Sequence, residues 1–170
     1  MLTGCRRGEI AGLKWSEVDL DTRQLRLAEA KEGYSLRPLG QAAVDLVASL
    51  KRHDKSDAVF ARGEDGVAYQ GLPKAWERIA KRAKLRGVTL HTLRHSLATT
   101  ANTLELSEPT IVAMLGHSRE TVTARYVHVV DATVSAAAEG VGGAISHAMA
   151  QRKPATALKL KARRTVKKQN

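Results

Sequence analysis

One cysteine is all the thiol chemistry that this chain of 170 residues offers. Cys5 alone excludes an intrachain disulfide and any cysteine-based zinc site, and it is compatible with a reducing cytoplasm, the expected location. No apolar run approaches the roughly 20 residues of a membrane span, so no membrane partner is expected. Nor is a secretory signal peptide expected, because Arg6, Arg7 and Glu9 interrupt the first residues too early. Aromatic residues are scarce, at 4%. The core must therefore be built on Leu, Val, Ile and Ala, with Trp15 and Trp76 as its large fillers. Acids are missing from one end: residues 151–170 hold eight Lys or Arg and no Asp or Glu, which leaves 20 basic and 17 acidic residues in 1–150. Most of the net charge of +11 thus sits in the tail. The isoelectric point of about 10.2 favours a polyanionic partner.

The length fits one domain with a real core. Residues 5–13 read as a helix closed by Lys14-Trp15-Ser16. Residues 24–29 alternate with period two and read as a strand, and Ser35 to Leu39 reads as its partner across a turn containing Gly33. Pro38 confines that second strand to a sheet edge. Residues 41–52 read as a helix burying Val44, Val47 and Leu50 or Ala48. Residues 72–85 form an amphipathic helix with Trp76, Ile79, Ala80 and Ala83 on one side. Its basic residues Arg78, Lys81, Arg82 and Lys84 are candidates for contact with a DNA backbone, or form a solvated face. Thr92 to Asn102 is a further helix. Ser107 caps the next, with Pro109 in its first turn and Gly116 as its stop. Ser118 caps a short helix carrying Tyr126. Asp131 to Ala150 is Ala-rich and helical, weakened by Gly140, Gly142 and Gly143. Val134, Ala137, Val141 and Ile145 on it are candidates for packing against a neighbouring protomer. Residues 151–170 read as a disordered basic tail.

What remains is chemistry. His91-Thr92-Leu93-Arg94-His95, Leu115-Gly116-His117-Ser118 and Tyr126 place two imidazole motifs, an arginine and a phenol within 36 residues. Thr3-Gly4-Cys5-Arg6-Arg7-Gly8-Glu9 adds a second arginine motif. Guanidinium forks bind phosphate oxygens, imidazoles move protons, and a phenolic oxygen can attack phosphorus. Together they suggest a metal-free phosphoryl transfer centre acting on a nucleic-acid backbone. No His-x-x-x-His or acid-rich ligand cluster frames these histidines, so neither a metal nor another cofactor is implied. Each of these residues taken alone is ordinary: a surface arginine, a structural histidine, a core tyrosine. Their order is what is specific.

In that order the chain resembles the tyrosine recombinases, also called phage-type integrases. The family pattern is Arg, Lys, His-x-x-Arg, His or Trp, and Tyr. Here the matching positions are Arg6, Lys31, His91 and Arg94, His117 and Tyr126, with the usual nine residues from His117 to Tyr126. The resemblance runs from about residue 2 to residue 148. It implies a mainly α fold with a small antiparallel sheet, the tyrosine recombinase catalytic domain, over residues 1–150. It also implies that the family's core-binding domain and a first catalytic helix stand outside the chain, exposing apolar surface near residues 9–13.

The function implied is site-specific cleavage and rejoining of DNA through a 3′-phosphotyrosyl bond. Arg6 and Arg94 would hold the non-bridging oxygens, Tyr126 would attack, His91 would serve as base, His117 would donate to a phosphate oxygen and Lys31 would protonate the leaving oxygen. Arg7 competes with Arg6 for its role, and the spacing to Gly8 and Glu9 selects Arg6. Glu9 is placed to brace a cation. Double-stranded DNA and further recombinase protomers in a synaptic complex are the implied partners. Two other readings stay open: a noncatalytic DNA-binding remnant, and a type IB topoisomerase sharing the tyrosine chemistry.

Overall fold

The computed structural model describes residues 1–30, 33–116 and 132–151. Lys31, His117, Tyr126, the helix expected after Ser118 and residues 152–170 of the tail lie outside the described residues. The elements run α1 (Arg7–Ala11), a 3-10 turn (Trp15–Glu17), β1 (Val18–Asp19), β2 (Gln24–Ala30), β3 (Gly33–Pro38), α2 (Gln41–Ala48), β4 (Ala61–Arg62), β5 (Val67–Ala68), α3 (Leu72–Arg82), α4 (Leu90–Thr103), α5 (Glu108–Leu115) and α6 (Ala132–Ala150). Helices dominate, beside one antiparallel three-stranded sheet in the order β1-β2-β3 and the small β4–β5 hairpin. Among the described residues no helix is long and apolar enough to cross a membrane.

The expected hairpin forms, and β3 lies at the sheet edge where Pro38 lacks only a donor that no neighbour needs. Its register pairs Leu25 with Arg37 and Leu27 with Ser35. Directly paired residues share a face, so Arg37 lies on the side of Leu25 and Leu27, both buried. A core of Leu13, Trp15, Leu25, Leu27, Leu39, Ala43, Val47 and Val59 joins this sheet to α2. A second core joins α4, α5 and α6 through Leu97, Ala101, Ile111, Met114, Leu115, Ala137, Ala138, Val141 and Ile145. Both are mainly aliphatic, as the shortage of aromatics requires, with Trp15 as the large filler of the first, and Leu2 packs against each.

Several expectations need correction. Leu13 is only 2% exposed while Ile10 and Ala11 are half-buried, so the apolar surface expected near residues 9–13 is confined to those two. Trp76 is no core filler: it is half-buried, and its indole donates to the carbonyl of Val88 at 2.9 Å. Of the apolar side of α3 only Ala80 is buried, while Ile79 remains 54% exposed. α3 stops at Arg82 rather than residue 85, because Lys84 takes a left-handed φ of 54° that no α-helix tolerates. α6 runs unbroken through its three glycines. Its face of Ala137, Val141 and Ile145 is spent on the chain's own α4–α5 core, so those side chains do not wait for a neighbouring protomer. Close approach explains one glycine nearby. A Cβ on Gly40, before α2, would lie 2.5 Å from the Ala138 carbonyl oxygen of α6. The same approach lets the Gln41 amide donate to the Glu139 carboxylate at 2.8 Å.

Candidate functional site

Three local decisions of the chain bring the arginines together. Gly4 turns with φ 61°, which only glycine adopts at low cost, and delivers Arg6 to the N-terminal edge of α1. Glu9 locks that edge: its Oε2 accepts the Arg6 amide at 2.7 Å and its Oε1 accepts Arg6 Nη1 at 3.2 Å. Thr89 caps α4, its hydroxyl accepting the Thr92 amide at 3.2 Å while Thr92 Oγ1 accepts the Thr89 amide at 3.0 Å. The cap fixes where α4 begins. His91 therefore falls in its first turn, and Arg94 one turn on, facing inward. The third decision is the end of α5, where Gly116 takes φ 59°.

Arg94 is 7% exposed and ties these pieces together. Its Nη1 donates to the Gly4 carbonyl, 90 residues away, and its Nη2 donates to the Leu115 carbonyl at 3.0 Å. Burial pushes its pKa below the usual guanidinium value. The nearby Arg6 and Arg37 charges push the same way, and Glu9 opposes them. It remains a cation at neutral pH, as arginine does throughout proteins.

Arg6, His91 and Arg94 line one cleft of about 1080 Å³ between α1, α3 and α4. Among the described residues six cations line it, Arg6, Arg7, Lys81, Lys84, Arg86 and Arg94, against one carboxylate, that of Glu77. Of the four basic residues considered for a DNA contact on α3 and just beyond it, Lys81 and Lys84 line the cleft. Arg78 and Arg82 do not line it: they are exposed on another side of α3, as the 3.6-residue turn dictates once Glu77, Ala80 and Lys81 face inward. His95 is exposed while Arg94 is buried, which separates the two as expected. Yet its ring meets that of His91 edge-on, with centroids 4.4 Å apart, because four residues make one helical turn. Among the described residues no group of three His, Cys, Asp or Glu side chains could hold a metal.

The sequence gives no sign of two members of this site. Arg86 needs the loop after α3 to fold back toward α4. Arg37 is fully buried, with Nη2 on Glu9 Oε1 at 3.2 Å and Nη1 on Ser35 Oγ at 2.5 Å, while its Nε meets no acceptor among the described residues. Glu9, whose side chain is 6% exposed, thus accepts from two guanidinia through one oxygen. Removing one partner of such a buried pair costs about 3–5 kcal/mol.

Known proteins resemble this chain in sequence and in fold. The prophage integrase IntF of Escherichia coli K12 is 30% identical over 126 residues, covering 69% of this chain and 26% of that protein. The integrase of mycobacterium phage Brujita shares the fold with a TM-score of 0.67 at 21% identity, over 82% of this chain and 48% of that one. A Tn1549 transposon integrase, solved in complex with circular intermediate DNA, shares it with a TM-score of 0.54 at 21% identity, over 81% of this chain and 53% of that one. The chain thus spans from about a quarter to about half of the proteins it matches. The sequence profile of the phage integrase family matches residues 1–133, which hold every position of the Arg, Lys, His-x-x-Arg, His and Tyr pattern, and the chain belongs to that family.

Proposed function

We infer that this chain cleaves and rejoins double-stranded DNA at specific sites through a transient 3′-phosphotyrosyl bond. The observation that carries the reading is the convergence of Arg6, His91 and Arg94 on one basic cleft from distant parts of the chain. A phosphodiester repels nucleophiles, and negative charge gathers on its non-bridging oxygens in the transition state. Guanidinium donors already fixed in place lower that barrier by several kcal/mol, an order-of-magnitude figure for such preorganised sites.

In this mechanism the phenolic oxygen of Tyr126 attacks phosphorus while the bond to the 5′-oxygen breaks. His91 takes the phenol proton, Lys31 protonates the departing 5′-oxygen and His117 donates to a non-bridging oxygen. A 5′-hydroxyl from a second strand reverses the step and restores tyrosine. One phosphodiester is exchanged for another, so the reaction needs no ATP. The roles of Lys31, His117 and Tyr126 rest on motif order and spacing; His117 directly follows Gly116 at the end of α5. Arg7, Lys81, Lys84 and Arg86 supply contacts to the phosphate backbone that position the duplex without reading its sequence. The Tn1549 integrase bound to DNA supports duplex DNA as the partner. Further protomers on the same DNA would complete strand exchange.

A nicked suicide duplex, which loses its 5′-hydroxyl fragment after cleavage, tests the reading in excess EDTA without ATP. A denaturant-resistant protein–DNA adduct is expected. Binding without an adduct would instead mark a noncatalytic DNA-binding module. Relaxation of supercoils without strand exchange would mark a topoisomerase.

A further inference from the structure

We propose that Arg37 is a positioning residue that sets the charge of the phosphate site by sharing Glu9 with Arg6. The inference rests on reading Arg6 as a contact to the DNA phosphate. Three guanidinia, Arg6, Arg37 and Arg94, lie near enough to act on one another, with Glu9 as the carboxylate among them. Glu9 Oε1 accepts from Arg6 Nη1 and from Arg37 Nη2, each at 3.2 Å. Were Arg37 absent, the buried Glu9 would pair with Arg6 alone, and the cation meant for the phosphate would be offset by its own brace. With Arg37 present, Glu9 keeps the orientation of Arg6, and the cluster carries one more positive charge than it would without Arg37.

Arg37 takes no direct part in the reaction, since it is fully buried and does not line the cleft. It also reaches the end of α5. A Cβ built on Gly116 would fall 0.9 Å from Arg37 Nη1, so this guanidinium occupies the room that a side chain there would take. Gly116 directly precedes His117 in the sequence. One buried side chain thus touches the brace of the first arginine and the turn leading to the second histidine.

The test compares Arg37→Met with the double variant Arg37→Met/Glu9→Gln. The first removes one positive charge from the cluster. The second removes one charge of each sign and restores the original balance. Inorganic phosphate is titrated into the full chain, and the Arg6 Nε–H resonance is followed by NMR; the thermal melt of each variant is recorded beside it. The proposal expects phosphate affinity at Arg6 to fall about tenfold in Arg37→Met and to return to within about threefold in the double variant, as a change of one charge in a half-buried site implies. Suicide-substrate cleavage at saturating DNA should follow the same order. If Arg37 merely supports the fold, both variants melt earlier but bind phosphate like the original chain, and the proposal fails. It fails equally if phosphate leaves Arg6 unmoved in the original chain, or if the single variant does not fold and the folded double variant still binds phosphate more than threefold weaker. A chain that binds phosphate in the expected order yet forms no covalent adduct would sink the recombinase reading alone.

Discussion

At the residue scale, the two arginines of the pattern do different work. Arg6 stands partly in the cleft, its side chain 25% exposed, and Glu9 keeps Arg37 as a partner when Arg6 is replaced. Arg6→Ala should therefore slow cleavage by orders of magnitude at a stability cost near 1 kcal/mol, the scale of a partly exposed ion pair. Arg94 holds the Gly4 and Leu115 carbonyls as well as facing the cleft. Arg94→Ala leaves two inward carbonyls without that donor, about 2–4 kcal/mol, which for a chain of this size lowers Tm by roughly 5–15 °C. Arg94→Lys should rescue neither property, since one ammonium cannot span both carbonyls. Melts and single-turnover cleavage on the variants check this, and equal melting of the two alanine variants would contradict it. Cys5 gives a third expectation. Burial pushes its thiol pKa up, against smaller opposing effects from Thr3 and Arg37. Since the thiolate is the reactive form, maleimide at pH 8 should modify the native chain more than tenfold slower than the unfolded one. Equal rates would contradict the half-buried, desolvated placement of Cys5.

At the scale of elements, local chemistry was legible and long-range burial was not. Thr89 and Ser107 start their helices through their own side chains, and Gly116 stops one through its φ. Ser107 and Gly116 are read within a few residues, so the sequence predicts α5 closely; the Thr89 cap went unread, and α4 begins at Leu90, two residues before the expected Thr92. The hairpin of β2 and β3 was also visible, from alternation and Pro38. Arg37 was not, because an arginine in an edge strand reads as solvated. Its burial depends on a register that pairs it with Leu25, and on Glu9, 28 residues earlier. The β4–β5 hairpin escaped because strands of two residues carry no period. Gly116 shows how the two kinds of information meet. Gly116→Ala would strain a left-handed φ and also drive a methyl into Arg37 Nη1. The expected loss is about 2–4 kcal/mol, well above the ~1 kcal/mol of the backbone effect alone. A melt showing only the smaller loss would mean that Arg37 moves aside cheaply.

At the scale of the whole molecule, charge is divided between a cleft and a tail. The cleft is the specific part, with cations fixed on α1, α3, α4 and the loop before α4. Residues 151–170 add eight cations with no acid among them. Deleting 152–170 should lower nonspecific DNA affinity and flatten its salt dependence, by about 0.9 in the log–log slope for each phosphate the tail no longer neutralises. The cleavage rate at saturating DNA should not change, since no position of the catalytic pattern lies beyond Tyr126. An unchanged slope, measured by titration at several salt concentrations, would make the tail a passive terminus. The sequence carried the catalytic pattern and the fold class at this scale because motif order survives without any knowledge of packing. It could not carry the fate of α6, whose apolar face serves equally well for a neighbour or for the chain's own core.

The most direct measurement of the central claim is the chemical identity of the covalent link. The protein is trapped on a suicide duplex, digested, and the peptide that retains a nucleotide is sequenced by mass spectrometry, with Tyr126→Phe run in parallel. Loss of the phenolic oxygen removes the nucleophile but none of the Lys and Arg contacts that dominate binding. The account predicts a 3′-phosphotyrosyl bond at Tyr126, and a phenylalanine variant that binds DNA within about threefold of the original yet forms no adduct. A covalent adduct that persists in Tyr126→Phe, or a nucleotide mapped to another residue, would contradict it.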